Sequence, residues 1–161
     1  MSASRRAFLR GRFSAPVDEI RPPWAIGRSA FELRCDRCEE CIRACPTGIL
    51  RAGDGGFPTV SFESGECTFC GDCEQVCKPG ALERSEQDVP WSLKVRIGDA
   101  CLADRGVECR VCGEACGAGA IRFRPRIGGV ARPETDPAVC NGCGACHAPC
   151  PVRAIAMERH Q

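Results

Sequence analysis

The chain has 161 residues, 16 of them cysteine and none tyrosine, and its 22 basic and 21 acidic residues leave a formal net charge of +1. This balance and the scarcity of aromatic residues argue against a nucleic-acid partner, and no apolar run approaches the roughly 18 residues that a membrane span needs. Cysteine makes up about a tenth of the chain, which indicates a covalent or metal scaffold rather than an ordinary hydrophobic core.

The N-terminal arm, residues 1–30, is basic and contains no cysteine. Residues 4–10 are similar to a twin-arginine export signal, but charge and proline break the stretch that follows, where such a signal needs an apolar core. We therefore expect a protein that is not exported. Two interpretations of the arm stay open: a solvated basic tail, or a docking peptide with Phe8, Leu9 and Phe13 on one helical face.

Two modules are predicted after the arm, at residues 31–85 and 91–161, with a polar linker at 86–90. Trp24 precedes the first module in an extended, proline-rich stretch and is expected to pack on it. Alternation of apolar and polar residues predicts strands within both modules. These strands are residues 31–33, 57–62, 91–97 and 121–126, with a turn at 128–129.

All sixteen cysteines belong to four blocks of four, two in each module. Three blocks have the spacing C-x2-C-x2-C-x3-C, and in the other the first gap is stretched from two residues to seven. The regular spacing is typical of bacterial-type [4Fe–4S] ferredoxins. The blocks are Cys35, Cys38, Cys41 and Cys45; Cys67, Cys70, Cys73 and Cys77; Cys101, Cys109, Cys112 and Cys116, with the stretched gap; and Cys140, Cys143, Cys146 and Cys150. The motifs around them span about 31–57, 58–85, 98–125 and 131–161.

Other uses of these cysteines fit the spacing less well. Disulfides require an oxidising compartment, and the arm does not have the pattern of a secretory signal. Structural zinc sites pair two C-x2-C units over a longer gap, an alternative that stays open mainly for the stretched block. Reduced thiolates indicate a reducing compartment, the bacterial cytoplasm.

In two-cluster ferredoxins each block lends its last cysteine to the neighbouring cluster, and we apply that rule here. It predicts four [4Fe–4S] clusters, or three if the stretched block holds only a three-cysteine or labile cluster. His147 lies inside the last block, but four thiolates already fill that site, so we expect a surface residue. The predicted ligand sets are Cys35, Cys38, Cys41 and Cys77; Cys45, Cys67, Cys70 and Cys73; Cys101, Cys109, Cys112 and Cys150; and Cys116, Cys140, Cys143 and Cys146.

An apolar pair follows each block, four and five residues after its last cysteine. This repeat indicates repeated supersecondary units. We predict an α+β fold of two tandem bacterial-type 2[4Fe–4S] ferredoxin-like modules with pseudo-two-fold internal repeats. Because each block has little apolar surface, the clusters must serve as core, and the cluster-free chain is expected to be largely unfolded. The pairs are Ile49 with Leu50, Ala81 with Leu82, Ala120 with Ile121, and Ala154 with Ile155.

Several further stretches of sequence narrow the choice of protein family. They are Ser-Arg-Arg at 4–6, Ile-Arg-Pro-Pro-Trp at 20–24, Gly-Asp-Ala-Cys-Leu-Ala at 98–103, Val-Glu-Cys-Arg-Val-Cys at 107–112, Phe-Arg-Pro at 123–125 and Cys-Asn-Gly-Cys-Gly-Ala-Cys at 140–146. Together they resemble the NapF family, ferredoxin-type accessory proteins of the periplasmic nitrate reductase system. The resemblance implies a cytoplasmic iron–sulfur protein that acts on the catalytic-subunit precursor of that reductase before export. Lys78 stands where the family usually has proline, which bears only on the turn after Cys77.

Two functions are compatible with this pattern. Maturation of the reductase subunit, by assembling or loading its cluster, needs accessible and labile clusters, which the glycine-rich flank 117–119 and an open loop after Cys101 would permit. General electron carriage between redox partners is the alternative. The sequence contains no flavin or nicotinamide motif and no nucleophile–base constellation, so we expect no enzymatic activity.

Overall fold

The computed structural model describes residues 19–84 and 89–160. The export-signal and docking-peptide interpretations fall on residues 1–18 and therefore lie outside the described residues. The elements are helices α1 (Arg28–Arg34), α2 (Glu40–Ala44), α3 (Asp72–Gln75) and α4 (Val111–Glu114), and strands β1 (Leu50–Ala52), β2 (Pro58–Val60), β3 (Leu93–Ile97), β4 (Ile121–Arg126), β5 (Gly129–Thr135) and β6 (Ile155–Arg159).

The strands form three antiparallel two-stranded sheets, β1–β2, β3–β6 and β4–β5. The result is a mixed arrangement of short helices and hairpins, as the α+β prediction requires. The pseudo-two-fold relation inside each module remains a prediction. Among the helices described here, none has the length and apolar character to cross a bilayer.

The strand predicted at residues 31–33 is wrong, because this stretch is part of helix α1. Phe31 is fully buried whereas Leu33 is 87% exposed, and in a strand two residues at this spacing would face the same side. An ion pair between Arg28 and Glu32, four residues apart, supports the helix. Two alternating apolar residues do not distinguish a strand from one helical turn with a single buried residue.

The core of the first module includes the stretch before α1. Trp24 is 5% exposed and packs there with Phe31, which confirms the predicted contact. A bridge pairs Ala25 with Leu82, so the two ends of the module lie side by side. The predicted return strand is shorter than expected, since only β2 pairs with β1, through the register Leu50 to Val60.

In the second module the predicted strands are confirmed as β3 and β4. The chain turns at Gly128, whose φ of 70° suits glycine, and returns as β5. Strand β6, which no sequence pattern predicted, pairs with β3 over five residues from Leu93 opposite Arg159 to Ile97 opposite Ile155. Strands β3 and β6, at the two ends of this module, thus pair with each other, as Ala25 and Leu82 do at the two ends of the first module.

Candidate metal centres

Cysteines from different blocks meet at shared cavities. In each of three cavities, three cysteines of one block are joined by the last cysteine of the other block in the same module. We name the cavities site I, lined by Cys35, Cys38, Cys41 and Cys77; site II, lined by Cys45, Cys67, Cys70 and Cys73; and site IV, lined by Cys116, Cys140, Cys143 and Cys146. These groups coincide with three of the predicted ligand sets, and cluster ligation by them remains a prediction.

Site III comprises the remaining four cysteines: Cys101, Cys109, Cys112 and Cys150. Burial, followed by the nearby Cys101, Cys109 and Cys150 thiols, raises the pKa of Cys112 to about 11, so all four lie together. The loop after Cys101, which was expected to be open, is exposed at residues 104–108. Its chain folds back on itself, with the Arg105 N–H donating to the Cys101 carbonyl at 3.1 Å, and this compact turn returns the chain to Cys109.

The turn after each block is built the same way. At the third residue past the last cysteine, φ is 64° at Gly48, 65° at Gly80, 67° at Gly119 and 50° at Arg153. In all four turns the backbone N–H of this residue donates to the carbonyl of that last cysteine, at 2.9–3.2 Å. The turn therefore needs a left-handed residue, which glycine supplies without steric cost.

The apolar pairs that follow these turns are buried at all four sites. In two of the blocks a backbone N–H of the buried pair donates to the sulfur of the last cysteine: the Leu82 N–H to Cys77 Sγ at 3.4 Å and the Ala154 N–H to Cys150 Sγ at 3.2 Å. At Cys45, burial raises the pKa, but the Thr47 hydroxyl and nearby backbone N–H groups outweigh it and lower the pKa overall. The repeat thus positions donors that stabilise a thiolate.

Burial dominates at the inner cysteines. It raises the pKa of Cys73 and Cys146 to about 12, and neighbouring cysteines add to the effect. The pKa of Cys41 and of Cys67 is raised to about 11, again first by burial. Without metal these thiols hold their protons at neutral pH, so a bound cluster must displace them.

The residues present fit iron–sulfur clusters. Each site offers four cysteine sulfurs, the donor set of a [4Fe–4S] cluster. Trp24 lines site II, and its buried indole N–H has no acceptor in the described part of the chain; sulfide is an acceptor of the kind it lacks. Within residues 19–84 and 89–160, no three His, Cys, Asp or Glu side chains are grouped for a single metal ion.

Sequence reasoning missed several residues around site IV. His147 is half-buried rather than on the surface, with its ring 6.3 Å from that of Phe62. The Lys94 ammonium donates to the Cys140 carbonyl. Neither Phe62 nor Lys94 belongs to a sequence motif. Each is positioned by contacts with residues far along the chain, and the spacing of residues in a single sequence gives no signal for such contacts.

Comparison with known proteins agrees with this geometry. A 4Fe-4S dicluster domain is recognised at residues 34–81 and again at 106–154, which together imply about four [4Fe–4S] clusters. The chain is 47% identical to the ferredoxin-type protein NapF of Escherichia coli (strain K12), over 98% of this chain and 96% of that protein. It is also 47% identical to the NapF of Haemophilus influenzae, over 96% of this chain and 93% of that protein. The methylamine utilization ferredoxin-type protein MauM of Methylobacillus flagellatus is 29% identical over 94% of this chain and 72% of that protein.

Proposed function

Because this chain belongs to the family of ferredoxin-type NapF proteins, we propose that it assists maturation of the catalytic subunit of the periplasmic nitrate reductase. It holds four [4Fe–4S] clusters through the crossed cysteine sets of sites I to IV and assembles or loads the cluster of that subunit. It acts in the cytoplasm, on the precursor, before export. It is an accessory protein rather than an enzyme.

This proposal rests on the unequal exposure of the cysteines at the four sites. Cys38 of site I and Cys70 of site II are exposed, whereas every cysteine of sites III and IV is buried or half-buried. Transfer of a cluster requires the thiols of an acceptor to reach iron by exchange with the donor's own thiolates. The first module therefore gives up its clusters, and the second retains them.

Mixing anaerobic, cluster-loaded protein with cluster-free catalytic subunit tests this function. We expect net transfer of iron and sulfide to the subunit, lost first from the first module. Loaded protein carrying Cys109→Ser, altered in the second module, is the matched control and should transfer as well as wild type. Complete retention of iron by the loaded protein would reject the maturation role.

Electron carriage between redox partners is the second candidate. The adjacency of sites I and II within one module, and of III and IV within the other, favours it, since closely spaced clusters exchange electrons. In the same mixture this function gives reversible reduction and reoxidation with all iron retained. The two functions thus differ in a single measurement, the iron content of each protein after reisolation.

A further inference from the structure

The two modules meet at the cysteine loops of sites II and IV. Across the interface, the backbone N–H of Cys67 donates to the carbonyl oxygen of Cys143 at 2.8 Å. Cys67 lines site II and Cys143 lines site IV. One hydrogen bond therefore connects a cysteine of the first module directly to a cysteine of the second.

Phe62 lies beside this hydrogen bond, in the stretch that leads from β2 to Cys67. Its ring is 4% exposed and rests on Gly144, the residue after Cys143. A Cβ at Gly144 would fall 2.1 Å from Cδ1 of Phe62, so the ring occupies the space that any larger residue would need. The aromatic ring and the glycine therefore fit together across the two modules.

Trp91 touches the loops of both sites. Its ring meets Phe62 edge-on, with centroids 5.8 Å apart, and Phe69 of the site II loop at 6.2 Å. On the other side it lies on Gly142 of the site IV loop, where a Cβ would fall 2.7 Å from the indole Nε1. This indole N–H has no acceptor within the described residues.

We propose that Phe62 and Trp91 are positioning residues that hold sites II and IV side by side, and that the Cys67–Cys143 hydrogen bond is the electronic contact between the modules. The proposal rests on the ligand sets proposed above. A bound [4Fe–4S] cluster supplies one-electron chemistry, in which one centre is oxidised as its neighbour is reduced, without a proton or further reactant.

The contact gives the four sites a definite order. Cys41 of site I and Cys45 of site II lie four residues apart, on helix α2 and directly after it. Cys112 of site III and Cys116 of site IV are also four residues apart. With II beside IV, the order is I, II, IV, III, and the protein is one continuous set of centres rather than two independent ferredoxins.

The test compares Phe62→Leu with Phe57→Leu, the same change at a half-buried ring of the same module away from the interface. Both full-length variants are loaded anaerobically, and their iron and sulfide are counted. Hydrogen exchange then follows the peptide containing the Cys67 amide, which should open at least about tenfold faster in Phe62→Leu alone. In the dithionite-reduced proteins, electron paramagnetic resonance should show weaker spin–spin interaction in Phe62→Leu alone.

Each result decides a part of the proposal. Unchanged exchange at Cys67 would overturn the positioning role, and faster exchange with an unchanged resonance spectrum would overturn the electronic contact. If Phe62→Leu fails to load, Gly144→Ala is compared with Gly119→Ala, which has a similar φ but open space around its Cβ. Wild-type iron counts that depart from four clusters would refute the ligand sets and not the interface, because the exchange measurement does not depend on those sets.

Discussion

At the residue scale, the turn after each cysteine block has one left-handed position, and one of the four lacks glycine. Gly48, Gly80 and Gly119 occupy it in three turns, while Arg153 occupies it in the fourth with φ at 50°. A side chain with a Cβ is disfavoured there by about 1 kcal/mol. The fourth turn, which leads from Cys150 into β6, therefore stores strain that the other three avoid.

Replacing Arg153 by glycine should relieve that strain. Because unfolding of a cluster protein is coupled to cluster loss, its stability is best followed as a rate. We expect Arg153→Gly to lengthen the half-life of the visible absorbance in anaerobic guanidinium by up to about fivefold, the equivalent of about 1 kcal/mol. The Arg153 side chain is exposed, so its removal does not disturb the packing of the core.

The reverse change provides the control. Gly119→Ala places a Cβ at the equivalent position, in open space, so strain is its sole expected effect and cluster loss should become faster. Gly117→Ala, two residues earlier and also in open space but without a positive φ, should change little. Equal half-lives for all three variants would show that the turn carries no strain.

At the element scale, short helices explain how two sites share one block. Helix α2 contains Cys41 and is followed directly by Cys45, and α3 contains Cys73 shortly before Cys77. A cysteine on the turn and one just past its end point to different cavities, so one block supplies both site I and site II. The C-x3-C ending in the sequence encodes this division.

Pairs of substitutions test the division. Cys38 and Cys77 are proposed to hold the same cluster, whereas Cys38 and Cys45 are proposed to hold different ones. The iron deficit of Cys38→Ser with Cys77→Ser should therefore match that of the worse single variant. The iron deficit of the double variant Cys38→Ser with Cys45→Ser should equal the sum of the deficits of its two single variants. Anaerobic counting of iron and sulfide measures both comparisons. The opposite pattern of additivity would mean that each block holds its own cluster.

Sequence reasoning was most reliable for elements defined by local spacing. Alternation over several residues was sufficient for β3 and β4. Cysteine spacing identified the four blocks, but the grouping of cysteines from two blocks at one site rested on the rule for two-cluster ferredoxins. Sequence reasoning failed for α1, where a single buried ring, Phe31, fixes the helix against distant residues. It also missed β6, which pairs with β3. The ion pair between Arg96 of β3 and Glu158 of β6 joins residues that are 62 positions apart in the chain. Contacts of this range leave no periodic mark in a single sequence.

At the scale of the whole molecule, the described elements are too small to be stable alone. The longest helix within residues 19–84 and 89–160 has seven residues, well below the roughly 12–15 that an isolated helix needs in water. The sheets have two strands each, and such hairpins are marginal without further packing. Six of the buried core residues are themselves cysteines: Cys67, Cys73, Cys101, Cys112, Cys140 and Cys146.

Removal of the clusters should therefore unfold the chain. Without metal, the raised pKa of Cys73 and Cys146, at about 12, leaves them as neutral thiols that no longer tie separate blocks together. We expect chelator-treated, reduced protein to lose the circular dichroism of the loaded protein and to show no cooperative thermal transition. Reconstitution with iron and sulfide under the same conditions is the control and should restore both signals. A native-like spectrum with a sharp melting transition in the metal-free chain would instead mean that the apolar pairs and aromatic residues suffice as a core, and that the clusters are added to a fold that already exists.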